Sequence, residues 1–250
     1  RIIPLPMRCI TSALLALHAL MLVAVAQGSA AAPGFLPAAA LAQAGSSVDR
    51  DETWKRCRAH DPEVRIEACR AIIGSGQEAP ADLASAHHSR GTAYRQTQLL
   101  ALALEDFNAA IHADPALIDA YGDRGVTLTA LGRFSDAIPD FTRVIEAHPQ
   151  LAYAYYNRGI CYELIGLADL ALEDITRSIE IEPRAEFRYE RRGTIYFRRK
   201  QFDLALADYE RALVINPQYA PALYGRGTIR LKTGDLAGGV TNRSRARSCD

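Results

Sequence analysis

Net charge is the first thing this chain lacks. Its 29 Lys and Arg residues are matched by 29 Asp and Glu. That removes the basic excess a nucleic-acid-binding surface needs and the high charge of a disordered chain. Gly (17) and Pro (12) are too few in 250 residues for a collagen-like or low-complexity polymer. Chemistry-bearing motifs are equally scarce. There is no HExxH, CxxC or calcium-loop pattern, and Gly74-Ser75-Gly76 lacks the lysine and preceding strand of a phosphate-cradling loop. His87 and His88 are adjacent, so on a helix they project about 100° apart and cannot chelate one ion together. Cys161 has no His positioned to activate it and is expected to pack as a small apolar residue. The pattern therefore predicts no catalytic, cofactor or metal residue and no enzyme activity.

Residues 1–44 are also poor in charge, holding only Arg1 and Arg8. Met7-Arg8 precedes an apolar run from Ile10 to Ala26, followed by small residues and proline. This is the order of a secretory signal, with Ala42-Gln43-Ala44 in the small-x-small form that precedes a cut and Gly28-Ser29-Ala30 as a second candidate. The expectation is export to the periplasm with cleavage, leaving no membrane span. Retention as an inner-membrane anchor is the alternative, because the run approaches the length of a spanning helix.

What the rest of the chain has is a period. Arg-Gly recurs at Arg90-Gly91, Arg124-Gly125, Arg158-Gly159, Arg192-Gly193 and Arg226-Gly227, each 34 residues after the last. Asp106, Asp140, Asp174 and Asp208 share that spacing, as do Ala103, Ala137, Ala171 and Ala205, and Pro115, Pro149, Pro183 and Pro217. Within a period, residues 186–199 and 203–215 each carry apolar side chains at helical steps. The prolines mark where each second helix must end. Ser135, Asp169 and Asp203 are expected as N-caps of the second helices. A helix-interior glycine costs about 1 kcal/mol relative to alanine, so one in every period implies close helix–helix approach.

A 34-residue helix–turn–helix unit with this Gly, Tyr, Ala, aromatic, Ala, Pro order resembles the tetratricopeptide repeat. The signature reads Gly91-Tyr94-Ala103-Phe107-Ala110-Pro115 and Gly193-Tyr196-Ala205-Tyr209-Ala212-Pro217, while Gly159-Tyr162-Ala171-Ile175-Ser178-Pro183 departs at two positions. The resemblance is to the variants of bacterial exported proteins. It implies an all-α, right-handed superhelical solenoid of antiparallel helix pairs. The expected organisation is a signal (1–44), an N-terminal helical hairpin and linker (45–83), four repeats (84–117, 118–151, 152–185 and 186–219) and a partial or degenerate fifth (220–250). In that fifth unit Gly238-Gly239 is expected to defeat the second helix, and Asn242 stands where the Asp belongs.

In this family the first helices line a concave groove that selects a partner. The resemblance places His88, Thr92, Gly122, Val126, Tyr153, Tyr156, Ile160, Phe187, Glu190, Thr194, Phe197, Tyr224 and Thr228 in it. The Asn and Lys set that clamps a C-terminal carboxylate is replaced by Thr92, Val126, Ile160, Thr194 and Thr228. Such an aromatic strip suits an extended apolar or Pro-rich segment better than an acidic tail. Cys57 and Cys69 flank the Pro-containing turn of the N-terminal hairpin, where two facing helices can bring them to disulfide distance in an oxidising compartment. The Arg and Asp columns are expected to pair, within a unit or with its neighbour, as a ladder along the stack. The functional expectation is an exported, non-enzymatic adaptor with a protein or peptide partner, or an assembly protein acting through self-association.

Overall fold

The computed structural model describes residues 49–247. The expected signal and its cleavage sites lie outside them. Among the described residues the chain is helical with no strand. A helical segment over residues 49–57 (α1) is followed by α2 (Pro62–Ser75). Five helix pairs come next: α3 (Pro80–Gln96) with α4 (Leu100–Ala113), α5 (Ile118–Ala130) with α6 (Phe134–Ala147), and α7 (Ala152–Leu164) with α8 (Ala168–Ile181). The last two are α9 (Glu186–Arg198) with α10 (Phe202–Ile215), and α11 (Ala220–Lys232) with α12 (Leu236–Arg247). No described helix is long and apolar enough to cross a membrane.

The glycine column explains how the two helices of a pair close. Phe107, Phe141, Ile175 and Tyr209 are buried, and each lies over the glycine sixteen positions before it. A Cβ at Gly91, Gly125, Gly159 or Gly193 would meet that side chain at 2.9, 3.0, 2.8 or 3.1 Å. Ala103, Ala137, Ala171 and Ala205, all fully buried, supply the small surface on the second helix. The prolines lie two residues beyond the ends of α4, α6, α8 and α10, as expected.

Neighbouring pairs then stack. Consecutive first helices touch, α3 with α5, α5 with α7 and α9 with α11, which lines them up along one face, the one the resemblance makes the inner face. At the N-terminus Asp61 caps α2 by accepting from the amides of Glu63 and Val64. This helix packs on α3, with Ile66 against Tyr94 and Phe107. It runs through Gly74 and Ser75, which sequence alone assigns to a linker, and stops at Gly76 in the left-handed conformation.

Two expectations are corrected. Ser135, Asp169 and Asp203 are not N-caps: α6, α8 and α10 begin one residue earlier, and no side chain caps them. What the connection does build is the C-cap of the preceding helix. Residues 98, 132, 166, 200 and 234 all turn with positive φ, at Gln98, Gly132, Gly166, Lys200 and Gly234. The amide after each of the five donates back to the preceding helix, as from Arg133 to the Leu128 carbonyl. Asp169 and Asp203 sit in the first turn, where a carboxylate complements the helix dipole.

The second correction is the fifth unit, whose second helix forms as α12 despite Gly238 and Gly239. A Cβ at Gly239 would stand 2.4 Å from Leu231 Cγ and 3.0 Å from the Leu231 amide nitrogen. This glycine lets α12 lie close on α11, the same role as the earlier column.

Candidate functional site: a ladder of ion pairs and an aromatic groove

The Arg and Asp columns meet inside every complete pair. Arg90, Arg124, Arg158 and Arg192 each donate from Nε and Nη2 to both oxygens of Asp106, Asp140, Asp174 and Asp208, at 2.6–2.9 Å. The carboxylates are buried and the guanidiniums mostly so. The third guanidinium nitrogen reaches back to the preceding pair. Arg124, Arg158 and Arg192 donate from Nη1 to Asn108, Thr142 and Thr176 at 2.8, 3.0 and 3.1 Å. One planar fork thus clips its own pair shut and binds it to the previous one. The hydrogen bond to its own Asp raises each of these arginines above its ordinary pKa, against the effect of burial.

A further column supports the rungs. Tyr121, Tyr155 and Tyr189 lie under Arg124, Arg158 and Arg192 at 5.5, 5.9 and 5.9 Å from ring centroid to guanidinium carbon. Their hydroxyls donate to the carbonyls of Pro115, Pro149 and Pro183. The same column holds His87 in the first pair, where its ring bonds Asp106 at 2.8 Å, and Leu223 in the fifth. This column was readable from the spacing of the tyrosines.

The fifth rung is incomplete. Arg226 meets Asn242 through one bond of 2.7 Å, and its buried Nε has no partner. Burial first, then the like charge of Arg230, pushes this guanidinium below its ordinary pKa, opposite to the other four. Another departure is Arg188, buried in a column otherwise occupied by Ala86, Ala120, Ala154 and Ala222. It donates to the Glu182 carboxylate at 2.6 Å and the Glu182 carbonyl at 3.1 Å.

On the inner side the groove residues gather in two places. A pocket of about 330 Å³ between α9 and α11 is lined by Glu190, Thr194, Phe197, Tyr224 and Thr228, with Arg198, Tyr209, Pro221 and Gly225. A shallower one of about 250 Å³ is lined by His88, Gly122, Val126 and Tyr153, with Asp119 and Asp123. The Tyr153 hydroxyl lies over Gly122, where a Cβ would stand 2.7 Å away. Tyr156 and Phe187 pack edge-to-face at 5.0 Å, joining α7 to α9. Thr92 donates to the His88 carbonyl at 3.0 Å and lines neither pocket, and neither does Ile160.

Three carboxylates distinguish this face. Asp123 accepts from His88 at 2.9 Å and pairs with Arg95 at 3.1 Å; burial opposes ionisation, but these partners hold it below the usual range. Glu163, its side chain 4% exposed, stands between Arg191 and Arg198 at 2.6 Å each. Glu190 accepts only from the Thr194 hydroxyl, at 2.8 Å, and burial raises its pKa. Asp123 and Glu163 therefore couple neighbouring first helices, whereas Glu190 does not. Cys161 is buried beside Thr129, and burial pushes its thiol up.

The Cys57 and Cys69 sulfurs stand at bonding distance, with their Cα atoms 4.8 Å apart. Among the described residues no group of His, Cys, Asp or Glu could hold a metal ion.

Stacked antiparallel helix pairs, one 34-residue unit each and clipped in the first four units by an Arg–Asp ion pair, define an α-solenoid scaffold. The chain is a tetratricopeptide-repeat solenoid: tetratricopeptide repeat family models match residues 123–186 and 188–219. Its fold is similar to the crystal structure of MamA, at 22% identity and TM-score 0.60, over 64% of this chain and 93% of that one. MamA residues 41 to the end from Desulfovibrio magneticus RS-1 align at 17% identity and TM-score 0.63, over 69% and 96%. YrrB, described as a TPR protein with an unusual peptide-binding site, aligns at 17% and TM-score 0.59, over 74% and 93%. No curated protein matches the chain in sequence.

Proposed function

We propose that this protein is a non-enzymatic exported adaptor that holds an extended segment of another envelope protein along its first helices. The observation that carries the reading is the set of large aromatic residues left open on the inner face. Tyr153, Phe187 and Tyr224 are 39%, 38% and 52% exposed there, and aromatic surface presented along one face suits a bound segment. The similarity to YrrB, whose own description includes a peptide-binding site, supports the same use of the fold. The larger cleft beside Arg158 is a weaker candidate, because four of its five charged side chains are paired with one another, as Arg158–Asp174 and Arg177–Glu180.

The test is photocrosslinking in the cell. A benzophenone side chain at Thr228, in the groove, should yield an adduct with one envelope protein, whereas the same group at Glu173, on the outer cleft, should not. Adducts from Glu173 alone would refute the assignment.

A second reading, assembly through self-association, draws on one observation. Leu164, Ile165, Leu167 and Leu170, 38–46% exposed, cluster at the turn of the third unit. Light scattering that shows a concentration-dependent rise in mass, abolished by Leu167→Glu, would favour it over a monomeric adaptor.

A further inference from the structure

The groove carries a chemical preference, and Glu190 is its source. Two inner-face carboxylates are paired within the chain, Asp123 with His88 and Arg95 and Glu163 with Arg191 and Arg198, while Asp119, in the other pocket, makes no ion pair among the described residues. Glu190 has no ion-pair partner among the described residues, and its one hydrogen bond is the neutral Thr194 hydroxyl. Thr194 is in turn held by the Tyr209 hydroxyl at 3.2 Å, which fixes the carboxyl at the pocket wall. Arg198 also lines the pocket, but its guanidinium pairs with Glu163, at 2.6 Å. A half-buried carboxylate with no direct ion pair is costly to the fold.

The walls of the pocket suit the missing charge. Phe197, Tyr209 and Tyr224 present three aromatic rings around about 330 Å³. Aromatic faces attract ammonium and guanidinium groups, and do so more strongly when water is excluded. The chain's own Lys232 ammonium stands 6.0 Å from the Phe197 ring centroid, so this ring already acts as a surface for a cation.

We propose that the pocket between α9 and α11 is a cation subsite that takes a lysine or arginine side chain of the bound segment, with Glu190 as its counter-ion and the aromatic rings around its stem. The inference rests on the groove reading above and adds a charge to it. An extended apolar segment is held along the strip, and one basic residue sets its position.

The test uses amino- and carboxyl-blocked octapeptides of Ala and Pro that carry one central Lys, Arg, norleucine or Glu, titrated against the protein. Lys and Arg peptides should bind at least about ten-fold tighter than the norleucine peptide, and the Glu peptide should be weakest. Glu190→Gln should reduce the Lys-to-norleucine ratio to about one. Tyr224→Leu, at an exposed position that does not challenge folding, should lower the same ratio. Equal binding of Lys and norleucine peptides would overturn the cation subsite and leave the groove standing. Binding of no peptide at all would overturn both.

Discussion

Removal of Arg158 tests the ladder most sharply, because the molecule contains its own control. Arg158 donates two hydrogen bonds to Asp174 and one to Thr142 of the preceding unit, and it lies against the Tyr155 and Tyr162 rings. Arg158→Ala leaves the Asp174 carboxylate, 5% exposed, without a partner. Stranding one member of a buried pair costs about 3–5 kcal/mol. The Arg158 side chain is 17% exposed, so water can enter the space it leaves, and the lower end, about 3 kcal/mol, is expected. Arg226→Ala removes a single bond to the neutral Asn242, worth about 1 kcal/mol. Urea unfolding followed by helical circular dichroism should therefore separate the two variants by about 2 kcal/mol. Asp174→Asn should fall between them, because it turns the third rung into a copy of the fifth. Equal losses for Arg158→Ala and Arg226→Ala would refute the rung as a buried clip and leave both arginines as surface.

The fifth rung can also be completed: Asn242→Asp should give Arg226 its missing fork and stabilise α12 by about 1 kcal/mol, read as slower amide exchange in that helix. If Cys57 and Cys69 are bonded in the native protein, unreduced tryptic peptides will contain the linkage. Cys57→Ser will then lower the melting temperature, within the ~3 kcal/mol a loop this short allows, and alkylation of both thiols in the native protein would exclude the bond. Glu190 is held above its ordinary pKa by burial, so the folded state prefers it protonated. That preference is fully satisfied below the unfolded carboxyl pKa and is lost as pH rises through the higher folded value. Glu190→Gln should accordingly be more stable than the parent at pH 7, with the gain disappearing in acid; a gain that grows as pH falls would contradict the assignment.

The repeat was legible because one period carried five kinds of residue, and helix packing needs each of them at a fixed place. The glycines read as close approaches are close approaches, and the prolines end their helices. The N-caps were misread because a capping residue is recognised by its side chain, whereas Gln98 and Lys200 take the left-handed turn that glycine takes in the other units. The helices start at Ala168 and Phe202, so Asp169 and Asp203 stand second in them rather than before them. The constant separation of sixteen residues between each Arg and its Asp was present in the sequence, yet only the geometry shows that the pair closes within a unit. The inner-face charges were least legible. Glu163, Arg191 and Arg198 follow no period, since they couple two particular units rather than repeat in all of them. Arg188 broke an alanine column in plain view, and its burial depends on a single carbonyl and carboxylate of Glu182.

Two adjacent tyrosines on α7 decide the central claim. Tyr156 faces the groove against Phe187, while Tyr155 lies over Arg158 in the outer cleft. Once crosslinking has identified the partner's segment, its affinity as a synthetic peptide should be measured calorimetrically for the parent, Tyr156→Ala and Tyr155→Ala. Binding through the first-helix groove predicts that Tyr156→Ala weakens the complex at least about ten-fold while Tyr155→Ala binds as the parent does and loses stability instead. Weakened binding in Tyr155→Ala with unchanged binding in Tyr156→Ala would place the partner on the opposite face and contradict the account.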